Sequence, residues 1–207
     1  MSDLRTWGLI SDIHGNLPAL EVALSILAAA GAHRLAFLGD YLGRGDSDGC
    51  VRRIRAVADI AVLGNRDLDW QDRVAPESRA WVLSLPRVAT DGTLLLAHGD
   101  PRLTPDLSTA QIRRDFDRAW LKMDATESRL WAFGHSHFAR TWRKATQGAP
   151  AERLMAGTVT LENGWRYFVN VGTTGLPFPG KGGPSVTLID LAAGVVRHLP
   201  LPPVAHE

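Results

Sequence analysis

"VLGNRDLDWQ", residues 62–71, carries an apolar run that stops at Gly64-Asn65 and then turns abruptly charged at Arg66-Asp67. A buried strand that ends this way poses a choice. Either Asn65 supplies an oxygen to something beyond the strand end, or the stretch is an ordinary polar turn. The same punctuation recurs along the chain, and the set decides the fold. TWGLIS (6–11) stops before Asp12-Ile13-His14, and RLAFLG (34–39) stops before Asp40. DIAVLG (59–64) leads into Asn65, TLLLAH (93–98) ends on His98, and LWAFG (130–134) precedes His135-Ser136-His137.

Helical patterns separate these runs. Leu17 to Ala30 is rich in Ala and Leu at helical spacing, with Pro18 suited to a first turn. Further helices are predicted near 47–57 and across 108–123, STAQIRRDFDRAWLKM. Strand–helix–strand order with runs of Val, Ile and Leu implies parallel strands covered on both faces. The last third differs: 152–160, 165–171, 185–191 and 195–200 read as short strands, with hairpin turns at Asn163-Gly164 and Ala193-Gly194. That pattern predicts a second, largely antiparallel sheet. One domain over 1–200 and a tail at 201–207 are expected, since 207 residues suit a single sizeable core.

Composition narrows the partners. With a formal net charge of +1, the chain gives no reason to expect nucleic acid or an anionic membrane. The single cysteine, Cys50, excludes an internal disulfide framework and any Cys-rich metal site. No apolar run approaches membrane-spanning length, and MSDLRTWGLISD has neither a basic leader nor a long apolar stretch, so the cytoplasm is the expected compartment. Association into a homo-oligomer stays open.

Parallel strands present their C-terminal ends along one edge, and ligands bind in the crevice outside it. Asp12, His14, Asp40, Asn65, His98, His135 and His137 therefore point toward one region. In Asp12-x-His14 and His135-x-His137 the extended chain puts i and i+2 on the same side. Taken singly, each has an ordinary explanation: a core histidine, a helix cap, an Asx turn. Taken together, five separate runs all stop in ligand types. Carboxylate, amide oxygen and imidazole suit divalent Mn, Fe, Zn or Ni. Seven ligands exceed one tetrahedral ion, whereas two ions about 3.5–4 Å apart sharing a carboxylate use them all. His33, His198 and His206 are read as bystanders.

The ordered motifs SDIHG, LGDYLGRG, LGNRD, AHGD and GHSH, covering 11–137, resemble those of the calcineurin-like metallophosphoesterases. The resemblance implies an α/β fold, a four-layer αββα sandwich of two mixed β-sheets flanked by helices. It implies Asp12, His14 and His137 as ligands of one metal, Asn65, His98 and His135 as ligands of a second, and Asp40 as the bridge. Manganese is the first choice of metal, with Fe, Zn or Ni as alternatives. YFVNVGTTGLPFPG (167–180) is similar to a stretch of the small bacterial phosphodiesterase-like branch, but Phe178 follows Pro177 where that branch usually has arginine, and Lys181 is the nearest substitute.

Two divalent ions against two aspartates leave the site cationic, which suits a small phosphate-ester substrate. A water bridging the ions becomes the nucleophile, and the ions offset charge on the phosphoryl oxygens. Asp40, Asn65, Arg66 and His98 are the expected catalytic residues. Many relatives carry histidine where Arg66 stands; arginine stays protonated and cannot protonate a leaving oxygen, but it can clamp phosphate or pair with Asp67 or Asp69. The expected activity is phosphodiester hydrolysis. Phosphomonoesterase or nucleotide phosphatase activity and a non-catalytic interaction module on the same fold are the alternatives. GLPFPGKGG (175–183) nearly matches a P-loop but lacks the final Ser/Thr and cannot open a helix; no G-x-S-x-G elbow occurs. Loop 41–49, segment 68–88 and loop 172–184 are expected to frame the substrate pocket, with Trp70 and Trp81 more suited to packing than to stacking a base.

Overall fold

A computed structural model describes residues 6–99, 117–121, 123–154, 157–180 and 182–205. Two sheets of six strands stack face to face. The first has the order β3-β2-β1-β11-β12-β9, formed by β1 (Thr6–Ile10), β2 (Arg34–Phe37), β3 (Ile60–Ala61), β9 (Thr158–Thr160), β11 (Ser185–Asp190) and β12 (Val195–Pro200). The second has the order β4-β5-β6-β10-β7-β8, formed by β4 (Val88–Asp91), β5 (Leu94–Ala97), β6 (Leu130–Phe133), β7 (Arg140–Lys144), β8 (Glu152–Arg153) and β10 (Arg166–Asn170).

Both sheets are mixed. β3, β2 and β1 run parallel, as do β5, β6 and β10, and the remaining neighbours pair antiparallel. The last-third strands therefore build no antiparallel sheet of their own. β10 extends the parallel trio of the second sheet, while β11 pairs with β1 in the first. Short antiparallel strands can add to either side of a parallel trio, so their local pattern does not reveal which sheet they join.

The continuous apolar runs follow from burial on both faces. Trp7, Leu9, Ala36, Leu38, Leu94, Leu96, Leu130 and Ala132 alternate inward and form the core between the sheets. The intervening Ile10 and Phe37 face outward under α1 (Leu17–Ala29), α2 (Ser47–Val57) and α4 (Pro76–Leu83). On the other side Leu95, Trp131 and Phe133 pack against Ala119 and Met123 of helical residues near 117–125. These three cores separate four layers, α, β, β and α.

α1 starts where Asn16 caps the Ala19 N–H, with Pro18 in its first turn. Segment 68–88, expected to frame the pocket, holds the end of α3 (Asn65–Trp70), a 3₁₀ turn at Gln71–Arg73 and α4. Trp70 and Trp81 pack against the outer core, Trp81 with its ring 6.0 Å from Tyr41. The predicted helical stretch 108–116 and Lys181 lie outside the described residues. Leu201 is buried in the outer core, and the Val204 carbonyl accepts the Asn16 side-chain amide. Among the described residues no helix is long and apolar enough to cross a membrane.

Candidate metal centre

The C-terminal ends of the two parallel trios meet across the sandwich. The first sheet delivers Asp12 and His14 after β1, Asp40 after β2 and Asn65 at the start of α3. The second delivers His98 after β5, with His135 and His137 after β6. To turn outward there the chain adopts left-handed backbone at Asp12, His14, Asp40, His135 and His137, with φ between 52° and 66°. Only one other non-glycine residue among those described, Glu127, does so. Such conformations are uncommon and cluster where surrounding bonds over-determine them.

Two glycines make the convergence sterically feasible. A β-carbon on Gly64 would sit 2.3 Å from Asp40 Oδ1, and one on Gly134 would sit 2.3 Å from Asp12 Oδ2. Each carboxylate is packed against the glycine that precedes a ligand on another segment. Here glycine provides room for a neighbour, and flexibility is secondary.

The ligand atoms form two groups. In the first, Asp12 Oδ1 lies 3.0 Å from His137 Nε2 and 3.7 Å from His14 Nε2, and the two imidazole nitrogens are 3.3 Å apart. In the second, Asn65 Oδ1 lies 2.8 Å from His135 Nδ1 and 3.1 Å from His98 Nε2, and those nitrogens are also 3.3 Å apart. Asp40 Oδ2 stands between the groups, 3.8 Å from His14 Nε2 and 3.3 Å from His98 Nε2. The trios Asp12–His14–His137 and Asp12–Asp40–His98 each bring one ligand atom per residue within 4.8 Å of the others, and all are buried.

These residues fit divalent cations. His98 Nδ1 faces the Leu38 carbonyl at 2.7 Å and His137 Nδ1 faces the Leu176 carbonyl at 2.6 Å. Each carbonyl holds a proton on Nδ1 and leaves Nε2 directed at the carboxylates, for a cation or a second proton. Asp12 Oδ2 accepts the His135 N–H, whereas among the described residues buried Asp12 Oδ1 has only the His137 and His14 imidazole nitrogens beside it. A buried carboxylate oxygen left bare beside two imidazole nitrogens needs a positive charge.

The electrostatics agree. Burial alone would raise the Asp12 carboxyl, but the His137 and His14 imidazoles outweigh it and hold the group well below the usual carboxylate range. Burial alone would lower His98, but the Asp40 and Asp12 carboxylates raise it to about 9. His135 is lowered, by burial first and by the charge of His98 second.

All seven sequence-derived ligands therefore converge. Arg66 divides its roles: its backbone N–H donates to Asp40 Oδ1 at 2.8 Å, while its exposed guanidinium pairs with Asp69 at 3.2 Å, and not with Asp67. Phe178 stacks on the His137 ring with centroids 4.5 Å apart and remains 43% exposed at the edge of the site. His198 is half-buried on β12, between the hydroxyls of Thr141 and Thr187 and away from the seven clustered residues.

Several supports escaped the sequence reading. Asn170 at the end of β10 donates to the Gly134 carbonyl and Ser136 Oγ, fixing the turn that carries His135 and His137. Thr173 Oγ1 and the Gly175 N–H donate to the Asp12 carbonyl. The signal for these was the NVGTTG stretch itself. Asp67, read from the sequence only as a possible ion-pair partner of Arg66, has another role. Its buried carboxylate accepts the N–H groups of Gly64 and Asp40 on Oδ2 and those of Tyr41 and Leu42 on Oδ1, at 2.8–3.0 Å. Burial and the Asp40 charge push this carboxyl up to about 6. Four N–H donors nevertheless keep it a carboxylate, because a proton on either oxygen would face a donor.

Known proteins share this arrangement of elements. The model of the calcineurin-like phosphoesterase superfamily domain matches residues 6–194. A metallophosphoesterase from Sphaerobacter thermophilus is similar at a TM-score of 0.77 and 26% identity, over 95% of this chain and 88% of its own. Yfce, a phosphoesterase from E. coli, has the same fold at a TM-score of 0.52 and 24% identity, over 90% of this chain and 88% of its own. The uncharacterized protein MJ0912 of Methanocaldococcus jannaschii is 25% identical, over 88% of this chain and 81% of its own.

Proposed function

The chain belongs to the calcineurin-like phosphoesterase superfamily, and we propose that it is a two-metal phosphodiesterase built as one catalytic domain over residues 1–200. The observation that carries this reading is the position of Asp40 Oδ2 between two separate ligand groups. Asp12, His14 and His137 would hold one divalent ion, Asn65, His98 and His135 the other, and Asp40 would serve both. Manganese is the first candidate. Bound there, such ions supply an acidified water as nucleophile and offset charge on the phosphoryl oxygens.

The chain's own residues hold the geometry. The Leu38 and Leu176 carbonyls fix the His98 and His137 rings, and the Arg66 N–H engages Asp40 Oδ1, which leaves Oδ2 turned toward the imidazoles. The Arg66 guanidinium, tethered among the described residues to exposed Asp69 alone, swings to clamp a non-bridging phosphate oxygen. It cannot deliver a proton to the departing oxygen. Good leaving groups are therefore favoured, and alkyl esters forgo the roughly 10²–10⁴-fold that a general acid contributes. The diester preference rests on this substitution together with the likeness of residues 167–180 to the phosphodiesterase-like branch. A non-catalytic docking module fits less well: every ligand is present, and among the described residues the exposed large apolar side chains are Leu83, Val88, Leu121 and Phe178.

The test is manganese-dependent hydrolysis of bis(p-nitrophenyl) phosphate against p-nitrophenyl phosphate, with Asp40→Asn as control and metal content measured in parallel. Diester turnover that requires metal and is lost in the control is expected. A protein that fails to bind two ions removes the central claim, and faster monoester turnover reverses the substrate preference.

A further inference from the structure

Asp40 must hold a left-handed backbone, with φ of 58°, while presenting its carboxylate to two ligand groups. Its Oδ1 is tied to the Arg66 N–H, and a second carboxylate holds the backbone itself. The three successive N–H groups of Asp40, Tyr41 and Leu42 all point at one carboxylate, that of Asp67, and the Gly64 N–H joins them from the segment carrying Asn65. Successive N–H groups around a left-handed residue form a concavity suited to an anion. In many proteins such a nest takes an external phosphate or carboxylate; here the chain fills it from within.

We infer that Asp67 is a positioning residue: an internal anion, fully buried, that locks the backbone of Asp40 to that of Gly64 and so sets the affinity of the shared metal centre. The inference rests on the two-metal reading above. It also follows from the covalent layout. Asp67 lies two residues beyond Asn65, so one side chain fixes the spacing between the shared carboxylate and a ligand of the second ion. The Gly64 position reinforces the lock, because a β-carbon there would lie 2.2 Å from the Asp40 nitrogen. Asp67 touches no substrate or ion itself and acts only through the loop it holds.

Asp67→Asn preserves size but turns one oxygen into a donor facing two N–H groups. Asp67→Glu keeps the charge. We expect manganese titration by calorimetry to show about a 10–100-fold loss of affinity in Asp67→Asn, with partial recovery in Asp67→Glu and unchanged near-ultraviolet circular dichroism of both metal-free variants. Hydrogen exchange in the metal-free wild type should find the Asp40, Tyr41 and Leu42 amides protected, and the same amides released in Asp67→Asn. A merely structural role would lower stability and leave the ion affinity of folded molecules unchanged. A folded Asp67→Asn that binds both ions within twofold of wild type overturns the inference. Should neither variant fold, the wild-type exchange decides, and amides exchanging at the unprotected rate overturn it. A wild type that does not bind two ions would sink the phosphodiesterase reading, an outcome separate from any difference between wild type and variant.

Discussion

His98 is buried and His198 half-buried between the two sheets, yet their surroundings drive them in opposite directions. Burial lowers both. At His98 the carboxylates of Asp40 and Asp12 overcome it and raise the imidazole to about 9. At His198 no carboxylate intervenes, only the Thr141 and Thr187 hydroxyls, and burial takes it down to about 4. His98 stands at an edge where two sheets bring charge together. His198 ties β12 to β7 across the core as a neutral group. Histidine burial alone therefore does not set the charge of the ring; the charge of the company it keeps does.

The sharpest way to break this contrast is to remove each ring in turn. His98→Ala should lower manganese-dependent diester turnover by about 10³-fold, in the range seen when a group stabilising transition-state charge is deleted. His198→Ala should leave turnover of the folded enzyme within about twofold. Steady-state kinetics with metal analysis decides; equal losses in both variants would erase the distinction.

A smaller effect lies in acid stability. The folded value of His198 is below its unfolded value of 6.5, so the unfolded chain takes up the proton first. Stability from this group is complete above about 6.5, is lost as pH falls toward about 4, and loses nothing more below that. The span corresponds to about 3 kcal/mol. Urea unfolding at pH 7 and pH 4.5 should show a larger loss in wild type than in His198→Gln, which retains hydrogen bonding without the titration. Identical losses would mean that the Thr–His–Thr bridge admits a proton as readily as water does.

Arg66 gives the smallest effect and refines the account of the edge. Its ion pair with Asp69 is exposed, so Arg66→Ala should change stability by less than about 1 kcal/mol. As a phosphate clamp it should raise KM for the diester about tenfold with kcat little altered. A fall in kcat with constant KM would assign it to the transition state instead.

The strand ends were legible because each apolar run is buried on both faces and stops at one edge, so Asp12, Asp40, Asn65, His98 and His135 were readable from punctuation alone. α1 and α2 were readable from spacing and from Pro18. α3 and α4 were not, being short and following directly on a ligand segment whose charges suggest a loop. The distribution of β9 to β12 over two sheets is a long-range matter of pairing that local alternation does not encode. Asp67 was illegible for a related reason. Three of its four hydrogen-bond donors lie in residues 40–42, and in sequence it looks like one more charge beside Arg66.

The left-handed backbone at five of the seven proposed ligand positions restricts the alphabet available there. Among side-chain-bearing residues, Asp, Asn and His tolerate that conformation best, and β-branched residues scarcely at all. The conformation and the coordination chemistry thus select the same few letters. An alanine scan of these positions would register backbone distortion along with the missing ligand, by roughly 1–2 kcal/mol each. Asparagine at Asp12, His14, Asp40, His135 and His137 keeps the backbone while weakening the ligand to an amide oxygen, whereas His98 and Asn65, with ordinary backbone, can be truncated without that confusion.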